Sequence, residues 1–217
     1  MAMLGIGDAA PDFEAATSRG PIAFHRWAGQ DWVILFSHPK FFRPVCATEL
    51  GQISRLLPAF AARGARVLGV CADGLERFDE WAADVEATQG AAIAVPVAAD
   101  PTLAISAAYG MLHPQMSAAA PARCTFIIGP EKTVRAAMAY PSSLGRDFGE
   151  VLRMLDSLQL TQRHPVATPA GWRPGGAVAI VPGLNEEDAR LRFPGGWTAL
   201  RPYLRMLPQP ASSDAME

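Results

Sequence analysis

The sequence predicts an α/β fold built on a mixed sheet, and three observations carry that expectation. Short apolar runs of strand length alternate with segments whose apolar residues recur at helical spacing. Two late runs, residues 124–128 and 134–140, flank the turn Gly129-Pro130-Glu131-Lys132 and read as a β-hairpin, which makes the sheet mixed. Hydrophobic residues make up 50% of the 217, enough for a sizeable core and against disorder.

In order, residues 1–30 are loop-rich, with a short strand expected at Ile22-Ala23-Phe24. A buried strand follows over 31–36, ending in Val33-Ile34-Leu35-Phe36. After a turn punctuated by Pro39 and Pro44, Cys46 opens a helical pattern through Leu50, Ile53, Leu56 and Leu57 to about Arg63. Residues 66–71 form a second buried strand. Asp73 is the expected N-cap of a helix carrying Phe78, Trp81 and Val85 inward. Residues 95–99 read as a short strand, with Pro96 at an edge or a strand start. Asp100-Pro101 is expected to cap a helix reaching Tyr109, with proline at its first position. Residues 111–121 are a Pro/Ala/Ser loop. Beyond the hairpin, Ser143 is the expected cap of a long amphipathic helix carrying Phe148, Val151, Leu155 and Leu158 on one face. Composition shifts after Thr161: Pro and Gly punctuate a tail with a strand at 178–181 and a short helix capped by Asn185. About 50 residues is too few for a robust core of their own, so the tail is expected to pack on the main domain or on a second subunit.

The formal net charge of −2 and pI near 6.1 give no basic patch for nucleic acid. No window approaches the roughly 20 apolar residues of a membrane helix, and the start lacks the pattern of a signal peptide. Cys46, Cys71 and Cys124 show no metal-site spacing, so no metal and no cofactor are expected. An odd, low cysteine number fits a reducing cytoplasm.

The stretch that carries chemistry surrounds Cys46. A cysteine in the first turn of a helix meets unpaired backbone N–H groups and the positive end of the peptide dipoles, which lower its pKa. Arg43 adds a positive charge three residues away. The alternative is a buried, inert thiol.

His38-Pro39, Pro44-Val45-Cys46-Ala47-Thr48-Glu49-Leu50, Asp100-Pro101-Thr102, Ala122-Arg123, Gly145-Arg146, His164-Pro165-Val166-Ala167-Thr168-Pro169 and Arg201-Pro202-Tyr203-Leu204-Arg205 recur in this order in one family. On them the chain resembles the peroxiredoxins, in their one-cysteine branch, essentially end to end. The resemblance implies a thioredoxin-like domain over residues 1–162 and a C-terminal dimerisation domain over 163–217. It implies an antioxidant peroxidase that reduces hydrogen peroxide or organic hydroperoxides through a sulfenic acid at Cys46. Arg123 is then the arginine that polarises thiolate and peroxide. Pro39 shields the pocket, His38 is a pocket histidine, Glu49 orients arginines and Arg146 lies near the site. The implied partners are the hydroperoxide, an external thiol reductant, and a second copy in a homodimer or higher oligomer.

Two departures fall inside the active loop. Arg43 stands where the family carries Thr or Ser; an arginine cannot accept a hydrogen bond from the peroxide but can depress the thiol pKa or clamp a carboxylate. Phe41 replaces a usual Asp or Asn and is expected to make the mouth more apolar, and His113 stands where Asp is usual. An alternative reading follows: the same fold repurposed for chemistry on a carboxylated small molecule, with Arg43 as anchor. A redox sensor without turnover is a third. The phospholipase segment of the animal members is not carried over, because His25 is kept but Asp31 and Glu131 hold the Ser and Asp positions.

Overall fold

The computed structural model describes residues 2–112 and 119–211, so His113 and most of the 111–121 loop lie outside the described residues. The chain divides into two compact units, Met1–Gly149 and Glu150–Glu217. The elements of the first are β1 (Glu14–Ala15), β2 (Ile22–Ala23), α1 (Phe24–Ala28), β3 (Trp32–His38), α2 (Pro44–Ala61), β4 (Ala65–Cys71), α3 (Phe78–Gln89), β5 (Val97–Ala99), α4 (Ala104–Ala108), β6 (Arg123–Ile128) and β7 (Val134–Tyr140). There follow α5 (Phe148–Arg163), β8 (Val166–Ala167), β9 (Val178–Ile180), α6 (Glu186–Arg192), β10 (Thr198–Arg201) and β11 (Leu204–Leu207).

The main sheet runs β5-β4-β3-β6-β7, with β3, β4 and β5 parallel and β6 and β7 antiparallel. It is the mixed sheet expected from the hairpin. β3 is buried along its whole length, as a central strand covered on both faces must be. The pleat sorts its side chains. Val33 and Leu35 join a core with Phe24, Leu68, Val70, Tyr109, Cys124 and Phe126. Phe36 and His38 instead meet aromatic rings of the helical layer, Phe148 and Trp81. Val97 begins edge strand β5, and Pro96 precedes it, where its missing N–H costs no ladder bond.

On α2, Cys46, Glu49, Leu50, Ile53 and Phe60 are buried, one stripe at helical spacing. Pro44 occupies the first turn, where its fixed φ favours helix and its lack of an N–H costs nothing. In the second unit, β10-β11-β9-β8 form an antiparallel sheet over a core of Leu160, Val166, Trp172, Val178, Ile180, Phe193 and Leu207. Asn185 caps α6 as expected, its Oδ1 accepting from the Asp188 N–H at 2.8 Å.

Three other expected caps act differently. Asp73 does not start α3, whose N-cap is Arg77; its carboxylate accepts from the Phe41 N–H at 2.7 Å and ties down the active loop. Helix α4 starts at Ala104 after Leu103, so Pro101 lies in the turn before it. Asp100 still serves that helix, accepting from the Ile105 N–H (3.1 Å), the Ser106 N–H (2.8 Å) and the Ser106 hydroxyl (2.6 Å). Ser143 does not cap α5, which begins at Phe148; Gln52 and Asp147 accept from its first N–H groups. Phe24–Ala28 is a short helix that the sequence reading took as the end of a strand and loop.

Asp100 is buried, so replacing it strands two backbone donors and a hydroxyl. Asp100→Ala should lower the unfolding free energy by roughly 2–4 kcal/mol in a denaturant titration. A loss under about 0.5 kcal/mol would show that the capping bonds contribute little.

Candidate active site

The site forms where the first turn of α2 meets the start of β6 and the segment before α5. Cys46 and Glu49 are three residues apart on the buried stripe of α2 and so point the same way. Arg123 opens β6; strand alternation sends Cys124 into the core cluster and Arg123 to the opposite face, toward α2. Its Nη1 donates to Cys46 Sγ at 3.4 Å and to Glu49 Oε2 at 2.8 Å, and its Nε donates to the Ser142 carbonyl at 2.9 Å.

Arg146 completes the cluster. Its backbone N–H and Nε both donate to Glu49 Oε1 at 2.8 Å, and its Nη2 donates to Oε2 at 2.7 Å. Nη1 reaches the Cys124 carbonyl (2.8 Å) and Thr125 Oγ1 (3.2 Å). The guanidinium carbon lies 5.2 Å from the Phe36 ring centroid and 5.3 Å from that of Phe148. Glu49, Arg123 and Arg146 are all buried. Breaking such a buried charge cluster by removing one member typically costs about 3–5 kcal/mol, because the partner left behind is unpaired.

Cys46 is fully buried, and this reverses one expectation. Desolvation of the thiolate raises its pKa above the ordinary value; the Arg123 charge and hydrogen bond act against that rise, as does the Lys40 backbone, while Glu49 adds to it. The helix start alone does not depress the thiol, and the positive charge that acts on the sulfur is that of Arg123, not of Arg43. Arg43 is the N-cap of α2, with an exposed side chain that makes no capping bond.

A cavity of about 490 Å³ lies against this cluster, lined by Pro39, Arg43, Val45, Pro121, Arg123 and Ser142 among others. Phe41 is not part of its lining: it is buried, stacked on Trp81 at a centroid distance of 4.7 Å, so the expected apolar contribution to the mouth comes from prolines and alanines instead. Phe42 has a left-handed φ of 52° and lies under the Arg77 guanidinium at 4.2 Å. His38 is enclosed by Phe36, Phe41 and Trp81. Among the described residues neither of its ring nitrogens has a hydrogen-bond partner. Burial first, then the charges of Arg146 and Arg123, push the His38 pKa down to about 3.

Cys71 and Cys124 are buried free thiols. Burial pushes Cys71 far up, and Cys124 up to about 11. Among the described residues no group of three or more His, Cys, Asp or Glu could hold a metal, and no helix is long and apolar enough to cross a membrane.

Comparison with known proteins agrees along the chain. The family model described as AhpC/TSA family matches residues 6–137, and that of the C-terminal domain of 1-Cys peroxiredoxin matches residues 157–196. The chain is 42% identical to a 1-Cys peroxiredoxin of Dictyostelium discoideum over 95% of its own length and 86% of the relative's. It is 42% identical to peroxiredoxin-6 of Rattus norvegicus, covering 94% and 97% of the two chains. Among solved structures, a cysteine-to-serine mutant of peroxiredoxin 6 from Arenicola marina superposes with a TM-score of 0.88 at 39% identity, covering 96% of this chain and 100% of that one. The yeast mitochondrial 1-Cys peroxiredoxin gives 0.87 at 33% identity, covering 95% and 100%.

Two outcomes test this electrostatic picture. Arg123→Met removes the cation in contact with the sulfur, so the rise in thiolate absorbance, read against Cys46→Ser, should move to higher pH; an unmoved titration would separate Arg123 from the ionisation of Cys46. For His38, the folded pKa lies below the unfolded value, so the unfolded chain binds the extra proton. Its stability contribution is intact above about pH 6.5 and is lost as pH falls toward 3. His38→Phe should therefore lose roughly 2–3 kcal/mol less than wild type between pH 7 and 4.5 in denaturant titrations. Parallel losses would contradict a buried neutral His38.

Proposed function

The chain belongs to the AhpC/TSA family and, within it, to the one-cysteine peroxiredoxins, and from that premise we propose how it works as a thiol-dependent peroxidase. The observation that carries the reading is the contact of Arg123 with both Cys46 and Glu49. Cys46 is the nucleophile. Its thiolate attacks the terminal oxygen of the hydroperoxide; the S–O bond forms as the O–O bond breaks, and water or an alcohol leaves after taking up a proton. Charge moves from sulfur to the leaving oxygen, and a fixed guanidinium beside the sulfur stabilises both ends of that movement.

Arg123 touches the reacting atoms in this scheme. Glu49 is a positioning residue, holding Arg123 against the sulfur, and Arg146 holds Glu49. Pro39 and Arg43 line the approach. His38 and Phe41 act on substrate only indirectly, through the aromatic packing that sets the loop ahead of α2.

Reduction of the Cys46-sulfenic acid is assigned to an external thiol, because burial holds the Cys71 and Cys124 thiols well above their ordinary pKa and away from the thiolate form. The yeast mitochondrial relative is described as resolved through glutathione and thioredoxin systems, and the same class of reductant is assigned here. Residues 1–162 are assigned to the thioredoxin-like domain and residues 163–217 to a dimerisation domain. The C-terminal family model over residues 157–196 and the compact unit from Glu150 support a separate C-terminal domain, and the protein is assigned as a homodimer. Three free thiols support a reducing compartment such as the cytoplasm. None of the relatives named above supports the alternative of unrelated chemistry on this scaffold.

Stopped-flow peroxide consumption, with dimedone trapping of the sulfenic acid, tests the assignment. Cys46→Ser should lose turnover and labelling, and Arg123→Met should fall about 100–1000-fold in kcat/KM. A wild-type protein no faster than Cys46→Ser would overturn it.

A further inference from the structure

The cavity beside the Cys46–Arg123 contact is lopsided in its chemistry. Pro39, Pro44, Val45, Ala120 and Pro121 make its walls apolar. Its charged lining residues are Lys40, Arg43 and Arg123, all cations, and no carboxylate lines it among the described residues. Arg123 is engaged by Glu49, Ser142 and the sulfur. Arg43 and Lys40 make no side-chain hydrogen bond or ion pair among the described residues. Four other surface arginines are neutralised: Arg66 pairs with Asp31, Arg77 with Glu80, Arg135 with Glu131 and Arg190 with Glu186. Two cations with no counter-charge among the described residues, on an apolar cavity, are the complement of an amphipathic anion. A volume of about 490 Å³ also far exceeds what hydrogen peroxide needs and suits an organic body.

We infer that the cavity selects organic hydroperoxides that carry a carboxylate, and that Arg43 is the residue that selects them, with Lys40 in support. The inference rests on the peroxidase reading. A guanidinium takes a carboxylate through two parallel N–H···O bonds, and an apolar surround strengthens them. Arg43 lines the same cavity as Arg123, whose guanidinium contacts the Cys46 sulfur. One small molecule can therefore reach Arg43 with its carboxylate and Cys46 with its hydroperoxide. The thiolate attacks the terminal peroxide oxygen, sulfur gives up two electrons, and the O–O bond breaks. The alkoxide takes a proton from water and leaves as a hydroxy acid. One external thiol condenses with the sulfenic acid, forming a mixed disulfide and releasing water, and a second thiol displaces the Cys46 thiolate, leaving as the external disulfide.

The test compares a medium-chain hydroperoxy acid with its methyl ester, so that each variant serves as its own reference. Wild type should prefer the acid by about tenfold or more in kcat/KM, the size of one charge-assisted hydrogen bond. Arg43→Ala should bring the acid-to-ester ratio close to one, and Lys40→Ala should lower it in part. Equal rates in wild type, or a preference that survives Arg43→Ala, overturn the inference. A second arm titrates the parent carboxylic acid and its ester into Cys46→Ser by calorimetry. Preference for the acid there, with neither hydroperoxide turned over by wild type, would uphold the anion site and sink the peroxidase reading. Turnover without preference in either arm sinks the inference alone.

Discussion

The Glu49 carboxylate, held between two buried guanidiniums, is the interaction on which the rest of the site depends. Its oxygens take every strong donor that Arg146 turns toward α2 and the Nη1 of Arg123. Without that carboxylate, two cations would sit in a water-poor space, and Arg123 would have no reason to stay against the sulfur. The charge balance is informative. Two guanidiniums face one carboxylate, so the cluster carries an excess positive charge while Cys46 is a thiol. Ionising Cys46 brings it to neutrality. The fold therefore stores its bias toward the thiolate in a charge imbalance rather than in a helix terminus.

That bias works against a large opposing effect. Burial raises the Cys46 pKa, and Arg123 pulls it back. At His38, the last residue of β3, burial and the same two arginines act in one direction, and the ring stays neutral. The difference lies in the sign of the charged form: anion for cysteine, cation for histidine. A neutral histidine packed on Phe36, Phe41 and Trp81 behaves as an aromatic wedge. It helps to hold the loop whose Phe41 N–H is also bound by Asp73.

The strands of the main sheet were legible in the sequence because apolar runs and one Gly-Pro turn signal them locally, while β1, β8, β10 and β11, two to four residues each, carry too short a pattern to show. The buried stripe of α2 was legible too, since Cys46, Glu49, Leu50 and Ile53 follow the helical period. The caps were less so. Asp73, Asp100 and Ser143 all have the right residue type, but a side-chain oxygen can serve donors that tertiary packing brings near, and Asp73 serves Phe41, 32 residues away. The charge cluster was beyond periodicity altogether. Its bonds join residues 74 and 97 positions apart, so only the family resemblance nominated Arg123 and Arg146. The direction of the Cys46 shift was misread for a related reason: a helix start is visible in sequence, while complete burial of one sulfur is a property of the packed state.

Arg43 shows how a loop can change without disturbing the chemistry beneath it. Its backbone is extended at the N-cap, and its exposed side chain makes no capping bond and lines the cavity. The hydroxyl that the resemblance implies at this position is absent, yet the Arg123–Glu49–Arg146 cluster is built from other elements and does not depend on it. The residue is thus free to vary with the molecule that enters the cavity, while the residues below it are fixed by mutual charge. Inner residues that satisfy one another leave the outer ones unconstrained, and in this fold the line between the two groups runs between Cys46 and Arg43.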